Sequence, residues 1–468
     1  MKTVRILCVL AWLVSTNLCF GQKPNVLFIA VDDLNNWIGC AGNEQAITPN
    51  MDKLASEGVY FSKAYCSYPL CGPSRASLMS SMYFSELNTS KLQPDDLEVQ
   101  ERVTAMGSSL MHTYLGKHGY KTMAVGKILH RHIPEGSVDL SGGRGSWDFV
   151  RDGQANKVKI NFDSDDTMTD WGVYPHPEDQ MSDSLAAQWA VERLGETHRA
   201  PFMLMVGFLR PHVPWYVPQK YFDLYDPNKL TLPPYDPNDW DDIPEAGLAQ
   251  INGGYPRTEW AIENGQWRNI VHSYLASISF ADTKIGEVLD ALEASPYKDN
   301  TIVVLWGDHG YHMGEKNTFQ KHTLWDRSGV APLIIKAPKM ATNATCNSVV
   351  SLLDIYPTLV DLCALPANDK LRGRSLKPIL EDPNYLSDAK SPAEPNLIWD
   401  HPAVTYKKNH GAVQYGDLRY IKYDDGSQEL YNHANDPNEW TNLVGDPNYA
   451  DAIIALEKMF PFDPNPKK

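Results

Sequence analysis

Basic residues and cysteines are scarce in this sequence. Its 468 residues hold 42 Lys and Arg against 58 Asp and Glu, a formal net charge of −16. A chain this acidic lacks the basic face that nucleic-acid binding needs, so no nucleic-acid partner is expected. The same charge repels anionic polymers at long range unless cations are gathered locally. Seven cysteines are too few for a disulfide scaffold. Beyond the amino-terminal stretch no apolar run is long enough to cross a bilayer, so no stable membrane insertion is expected. Internal repeats and low-complexity tracts are absent. What is present is ordinary: 43% hydrophobic and 21% charged residues exclude a globally disordered chain.

Met1 to Gly21 reads as a leader, with Lys2 and Arg5 ahead of the short apolar run Ile6 to Val14. This implies export, to a periplasmic or extracellular location. Thr16-Asn17-Leu18 lacks the small residues that precede a lipidated Cys19, so a soluble exported protein is favoured. Cleavage leaves Cys40, Cys66, Cys71, Cys346 and Cys363, an odd set with Cys71 as the candidate for the unpaired member. Cys346 with Cys363 is one possible pair. The sequence does not settle the pairing of Cys40, Cys66, Cys346 and Cys363.

Asn25 to Val31 (NVLFIAV), Phe202 to Phe208 (FMLMVGF) and Thr301 to Trp306 (TIVVLW) are continuous apolar runs that predict buried strands. Lys121–Val125 and Val330–Lys336 predict two more. Helices are expected from Thr48-Pro49 to Gly58, from a Ser182 cap to about Gly195, and over Asn269–Leu292. This alternation predicts an α/β fold with a mostly parallel sheet covered on both faces. Ligands bind such sheets at the carboxyl ends of the strands, where Asp32, Asp33, Asp308 and His309 fall. The stretches 139–179 and 223–266 are rich in Pro, Gly, Asp and Trp and read as functional loops. From 376 onward a smaller subdomain is expected, with an antiparallel sheet over Gly411–Tyr431 and a closing helix over Tyr449–Phe460. The expected division is 1–21 leader, 22–375 catalytic domain and 376–468 C-terminal subdomain.

Cys71 precedes a predicted helix, whose positive end stabilises a nucleophile or an anion. Arg75 follows by four residues and would share its helix face. The adjacent carboxylates Asp32 and Asp33 repel each other unless a cation lies between them. With Asp308-His309 they suit a hard, oxygen-seeking cation. Spacing alone does not choose among Ca²⁺, Mg²⁺ and Mn²⁺. His212, stiffened by Pro211 and Pro214, is a candidate for proton transfer.

Cys71-Gly72-Pro73-Ser74-Arg75 closely resembles the signature of the type I, formylglycine-dependent sulfatases. Asn25 to Asp33, Gly126 to His130, Pro211 to Pro214, Trp306 to Glu315 and Glu429-Leu430-Tyr431 extend the likeness over most of the chain. Within that family the chain looks like the iduronate-2-sulfatase group and its bacterial polysaccharide-sulfatase relatives. The resemblance implies an alkaline-phosphatase-like sandwich and hydrolysis of O-sulfate esters on a carbohydrate. It further implies sulfated polysaccharides containing uronic acid as the expected substrates. It implies that Cys71 is oxidised to formylglycine by a maturation enzyme. It also implies that Ca²⁺ is bound by Asp32, Asp33, Asp308, His309 and the modified Cys71. Arg75 would then stabilise the aldehyde hydrate, and Lys127 and Lys321 would hold the sulfate. His212 would protonate the leaving oxygen, and His130 would take the proton of the second hydroxyl. Relatives continue with Leu-Thr-Gly-Arg, whereas this chain has Met79-Ser80-Ser81-Met82. Two alternatives stay open: a phosphatase or phosphodiesterase of the same superfamily, and a non-catalytic polysaccharide-binding protein with unmodified Cys71. Trp215 and Trp325 are candidate sugar-stacking rings, although core packing is the commoner use of such rings.

Overall fold

The computed structural model describes residues 23–145, 161–383 and 401–464. The expected leader lies outside them. The frame is an eight-stranded sheet built from β1 (Asn25–Val31), β2 (Val59–Tyr65), β3 (Lys121–Gly126), β4 (Leu140–Gly143), β6 (Phe202–Phe208), β8 (Thr301–Gly307), β9 (Leu333–Lys336) and β10 (Ala344–Ser351). Short strands β5 (Trp171–Val173) and β7 (Trp215–Val217) pair separately. The spatial order is β10-β2-β9-β8-β1-β6-β3-β4. Only β9 runs against its neighbours.

The apolar runs form strands because both of their faces are covered. Val26, Phe28 and Ala30 enter one core, while Leu27, Ile29 and Val31 enter the other. The long helix Trp267–Glu293 covers the second face through Tyr274, Ile278 and Ile285. The register then sets the site. Val31 lies opposite both Phe208 of β6 and Gly307 of β8, so three chains leave the sheet at one level. On β3, Gly126 faces Gly207. It has φ +76°, and a Cβ there would lie 1.9 Å from the Gly207 carbonyl oxygen. The glycine pair lets β3 turn sharply into Lys127.

Several expectations shift by a few residues. Met181, not Ser182, holds the cap position of helix Ser182–Leu194. The strand expected from Val330 begins at Leu333; Val330 N–H still closes the helical turn at Asp326, and Val330 and Ala331 touch β2 only through an isolated bridge to Tyr65 and a bond to the Ala64 carbonyl. The strands β2 and β10 had no continuous apolar run to announce them. Cys346 and Cys363 are both free thiols, as are the other three cysteines of the described residues.

The antiparallel sheet starts earlier than expected, at β11 (Ala403–Lys407). It continues through β12 (His410–Tyr415), β13 (Leu418–Lys422) and β14 (Gln428–Asn432). Helix Ala450–Glu457 closes it through Leu456. Its other face meets Leu324 and Trp325 of the main body. That seam contains buried polar groups. Glu429 accepts bonds from Trp325 Nε1 (2.8 Å), Tyr423 and Tyr431. His433 lies 3.1 Å from Glu439 and 3.9 Å from Asp326. Neither Trp215 nor Trp325 is available for stacking on a sugar. Both are buried, with their indole N–H groups bonded to Pro211 O and Glu429.

Two outcomes follow for this seam. Glu429→Leu strands three buried donors and should cost about 3 kcal/mol or more, read from a denaturation midpoint. An unchanged midpoint would show that the seam does not depend on this carboxylate. For His433, burial alone would lower the pKa, but Asp326 and Glu439 outweigh it and raise it. A raised folded value means that the imidazolium stabilises the fold fully below about pH 6.5. That contribution is lost as pH rises through the folded value. His433→Gln should therefore cost more stability at about pH 5.5 than at about pH 8.5.

Candidate active site

Four neighbouring strands deliver the site. Asp32 and Asp33 follow β1, Asp308 and His309 follow β8, Lys127 follows β3, and the segment 209–214 follows β6. Helix Cys71–Ser80 approaches from the loop after β2. Pro73 sits in its first turn, where a missing N–H removes no helical bond. All ten of its residues are buried. Ser74 anchors its start by donating to the Asp308 carbonyl.

The three carboxylates are wholly buried and matched by three cations. Arg75 Nε reaches Asp308 Oδ2 at 2.8 Å and Nη2 reaches Asp32 Oδ1 at 3.3 Å. Nη1 donates to the Lys127 and Ile128 carbonyls. The guanidinium also lies 5.3 Å from the centre of the Trp306 ring. Lys127 Nζ is 2.5 Å from Asp32 Oδ2, and Lys321 Nζ is 2.5 Å from Asp33 Oδ1. Burial alone would raise the Asp32 pKa, but Lys127, His212 and Arg75 hold it well below the usual carboxylate range. Asp308 goes the other way, raised by burial against the pull of His309 and Arg75.

Cys71 Sγ lies at the middle of this group. It is 3.0 Å from Lys321 Nζ, 3.3 Å from His309 Nε2 and 3.6 Å from Asp33 Oδ1. His309 Nδ1 faces the Gly310 carbonyl at 2.9 Å, which only accepts. Nδ1 therefore donates there, which turns Nε2 toward Cys71 and the carboxylates of Asp33 and Asp308. His212 has the same form, with Nδ1 2.6 Å from the Val213 carbonyl and Nε2 4.0 Å from Asp33 Oδ2. Burial lowers its pKa to about 3, although Asp33 pulls upward. His130 is also lowered to about 3, by burial and then by Lys127. Its ring rests over Gly72, where a Cβ would lie 3.4 Å from His130 Cγ and 2.1 Å from Gln93 Oε1.

Asp32, Asp33, Cys71 and His212 form one set of mutually close ligand atoms, and Cys71, Asp308 and His309 form another. The sets share Cys71, so among the described residues they make one centre. Asp33 Oδ2 is buried without a hydrogen-bond donor. An oxygen-rich set with an orphaned carboxylate oxygen fits a hard cation such as Ca²⁺.

The ten candidate site residues Asp32, Asp33, Cys71, Arg75, Lys127, His130, His212, Asp308, His309 and Lys321 thus lie around one place. Others had no sequence signal. Asp183 accepts from the backbone N–H groups of Leu209 and Arg210 and so shapes the His212 segment. Tyr274, from the long helix, donates to the Asp33 carbonyl and accepts from Asn35 N–H. Their partners are remote in sequence, so no local spacing marks them.

Comparison with known proteins agrees with this geometry. Residues 24–364 match the family model described as Sulfatase, and residues 314–461 match N-sulphoglucosamine sulphohydrolase, C-terminal. A sulfatase of Formosa agariphila is 41% identical, covering 94% of this chain and 87% of its own. The iduronate 2-sulfatase of Mus musculus is 29% identical, covering 73% and 69% respectively. The solved structure of a 2-O GAG sulfatase superposes with a TM-score of 0.70 at 23% identity, covering 93% of this chain and 90% of that one. The chain therefore belongs to the sulfatase family of sulfuric ester hydrolases.

Proposed function

We propose that the protein hydrolyses O-sulfate esters on a carbohydrate, using a formylglycine made from Cys71 by a maturation enzyme, together with Ca²⁺. The substrate class we favour is a sulfated polysaccharide or oligosaccharide containing uronic acid, in keeping with the iduronate 2-sulfatase relative. Export through the Met1–Gly21 leader belongs to the same reading. One observation carries it: the Cys71 side chain sits at a buried helix start, ringed by Lys321, His309 and Asp33. As a thiol it is a poor nucleophile there. Burial, then Asp32, push its pKa well up, and Lys127 and Lys321 only partly oppose them.

A formylglycine hydrate at this position supplies two hydroxyls on one carbon, one to attack sulfur and one to re-form the carbonyl and release sulfate. Ca²⁺ held by Asp32, Asp33, Asp308 and His309 would polarise the sulfate oxygens. The protein's own side chains account for the rest. Lys321 and Lys127 flank the nucleophile and bind the sulfate charge from two sides. Arg75 fixes Asp32 and Asp308 and orients the nucleophile above them. His212 Nε2 faces the site and is neutral without ligand. An anionic ester beside it favours its protonation and hence proton delivery to the leaving oxygen. His130, kept neutral by burial and Lys127, would accept the proton of the second hydroxyl. A phosphatase reading calls for a second metal cluster, whereas the two sets of ligand atoms here share one residue.

Mass spectrometry of the peptide spanning Cys71, from protein made in its native host, should show the aldehyde. A thiol in all of the material would defeat the proposal. Cys71→Ala should release no sulfate from a sulfated oligosaccharide while still binding it. Chelation should abolish turnover, with recovery on Ca²⁺ but not Zn²⁺. Lys127→Ala should lower kcat/KM by about a hundredfold or more.

A further inference from the structure

The C-terminal sheet reaches the site through its edge strand, β11. Thr405 Oγ1 donates to Cys66 O at 2.8 Å, and Tyr406 N–H donates to Ser67 O at 2.9 Å. The strand therefore runs beside the segment that leads to Cys71. Lys407 ends it and is only 7% exposed. Its Nζ donates to His322 O at 2.7 Å and to Gln250 O at 3.5 Å. The Gln250 carbonyl also receives Gln320 Nε2 at 3.2 Å, so the second long loop and the Lys321 loop meet at this lysine. His322 directly follows Lys321, whose Nζ is 3.0 Å from Cys71 Sγ. About 3.8 Å of backbone thus separates the residue at the nucleophile from the one that holds Lys407.

What Lys407 lacks is an anion. Both of its partners are carbonyl oxygens, and among the described residues no carboxylate lies within 4.0 Å of it. The other buried lysines of this region each have one: Lys127 holds Asp32, Lys321 holds Asp33 and Lys316 holds Asp239. A buried ammonium without a counter-charge is costly. Burial, then the neighbouring Lys408, lower its pKa to about 7. Other donors beside it are unspent. The Tyr68 ring stacks on the His322 ring with centres 5.8 Å apart. No described residue accepts the Tyr68 hydroxyl proton, and His322 Nε2 is likewise unbonded, although both atoms are buried. Lys408 and Asn252, which closely follow Lys407 and Gln250, are exposed, so the cluster lies just below the surface.

We propose that Lys407 is the centre of a second anion subsite, which takes a carboxylate or a further sulfate carried on the ester-bearing sugar or on its neighbour. This rests on the carbohydrate sulfatase reading above and deepens it. Both groups offer the same chemistry, a fixed negative charge with several acceptor oxygens. Either would supply the counter-charge that the fold withholds and would favour the protonated lysine once bound. The substrate is then gripped at two anions, one that is cut off and one that is kept.

The test uses the matured, full-length protein and four substrates. The first is a monosulfated uronic acid disaccharide, and the second is its carboxyl-reduced form, whose only charge is the ester. The third is the reduced form with a second sulfate, and the fourth is 4-nitrophenyl sulfate. The wild type should favour the first or the third over the second by about tenfold or more in kcat/KM, and the one favoured names the anion. Lys407→Gln removes the charge but keeps a donor, and should cut that preference to within about twofold, chiefly through KM. Lys407→Met should do the same, whereas Lys407→Arg, which keeps the charge, should retain most of the preference. A wild type with no preference for either anion would overturn the assignment. So would an undiminished preference in whichever neutral variant folds. Equal losses on all four substrates would also overturn it, because a mere tie between the His322 and Gln250 carbonyls would give that result. Turnover of the aryl sulfate but of no disaccharide would overturn it too, leaving the sulfatase reading intact. Release of sulfate from none of the four would defeat that reading itself.

Discussion

Three carboxylates buried at the ends of neighbouring strands, and the three cations that neutralise them, constrain the rest of the molecule. A buried ion left without its partner costs several kcal/mol, so none of the six side chains can be misplaced independently of the others. The sheet meets this demand by register. Val31, Phe208 and Gly307 leave it at one level, and Gly126 with Gly207 lets the Lys127 backbone press in between. Arg75 completes the arrangement, bridging Asp32 and Asp308 while Trp306 covers its face. The helix that carries Arg75 also carries Cys71 one turn earlier. Charge balance and nucleophile position are therefore set by the same element.

How much of this was legible follows from what each residue answers to. The strands β1, β6 and β8 are covered on both faces, so their sequences are continuous apolar runs and the reading found them. The strand β2 exposes Ser62 and Lys63 in part, and β10 carries Asn347 and Ser348 at a sheet edge. Neither has the run that would announce it, and both were missed. The site residues were readable because short motifs follow strand ends, where the fold brings ligands together. Trp215 and Trp325 show the limit of composition. An indole reads the same whether it meets a sugar or a core, and both are fixed in the interior by N–H bonds. Asp183 and Tyr274 answer to partners outside their own elements, which no local pattern reports.

The Met79 to Met82 departure also has a physical account in the folded state. Ser81, where the resemblance to the family signature implies glycine, adopts a left-handed conformation, φ 51°. The strain is held by its own hydrogen bonds: Oγ donates to Leu353 O at 2.8 Å and accepts from Gly373 N–H at 3.0 Å. Met82, where that signature implies arginine, is buried in the core. Cys71 is 2% exposed within a helix that is buried throughout. On the proposed reading, a maturation enzyme must reach it before this packing forms. On that reading the residues at 81 and 82 matter in the unfolded segment that such an enzyme meets, while in the folded chain Ser81 caps the helix and Met82 packs in the core.

The overall charge now reads differently. At −16 the chain is repelled by an anionic polymer, yet a sulfated uronic acid polymer is the proposed substrate. The cations that face the nucleophile resolve the conflict by distance. Lys321 and Lys127 act at contact, whereas the field of the acidic surface is screened over about 8 Å at physiological salt. At that range a chain of negative charge gains nothing by approaching at random. It gains only where one sulfate enters the cationic centre. Repulsion elsewhere suppresses unproductive adsorption along the polymer and favours departure of sulfate once the ester is cut. Selectivity among sulfated positions must then come from contacts close to the ester, because long-range attraction supplies none.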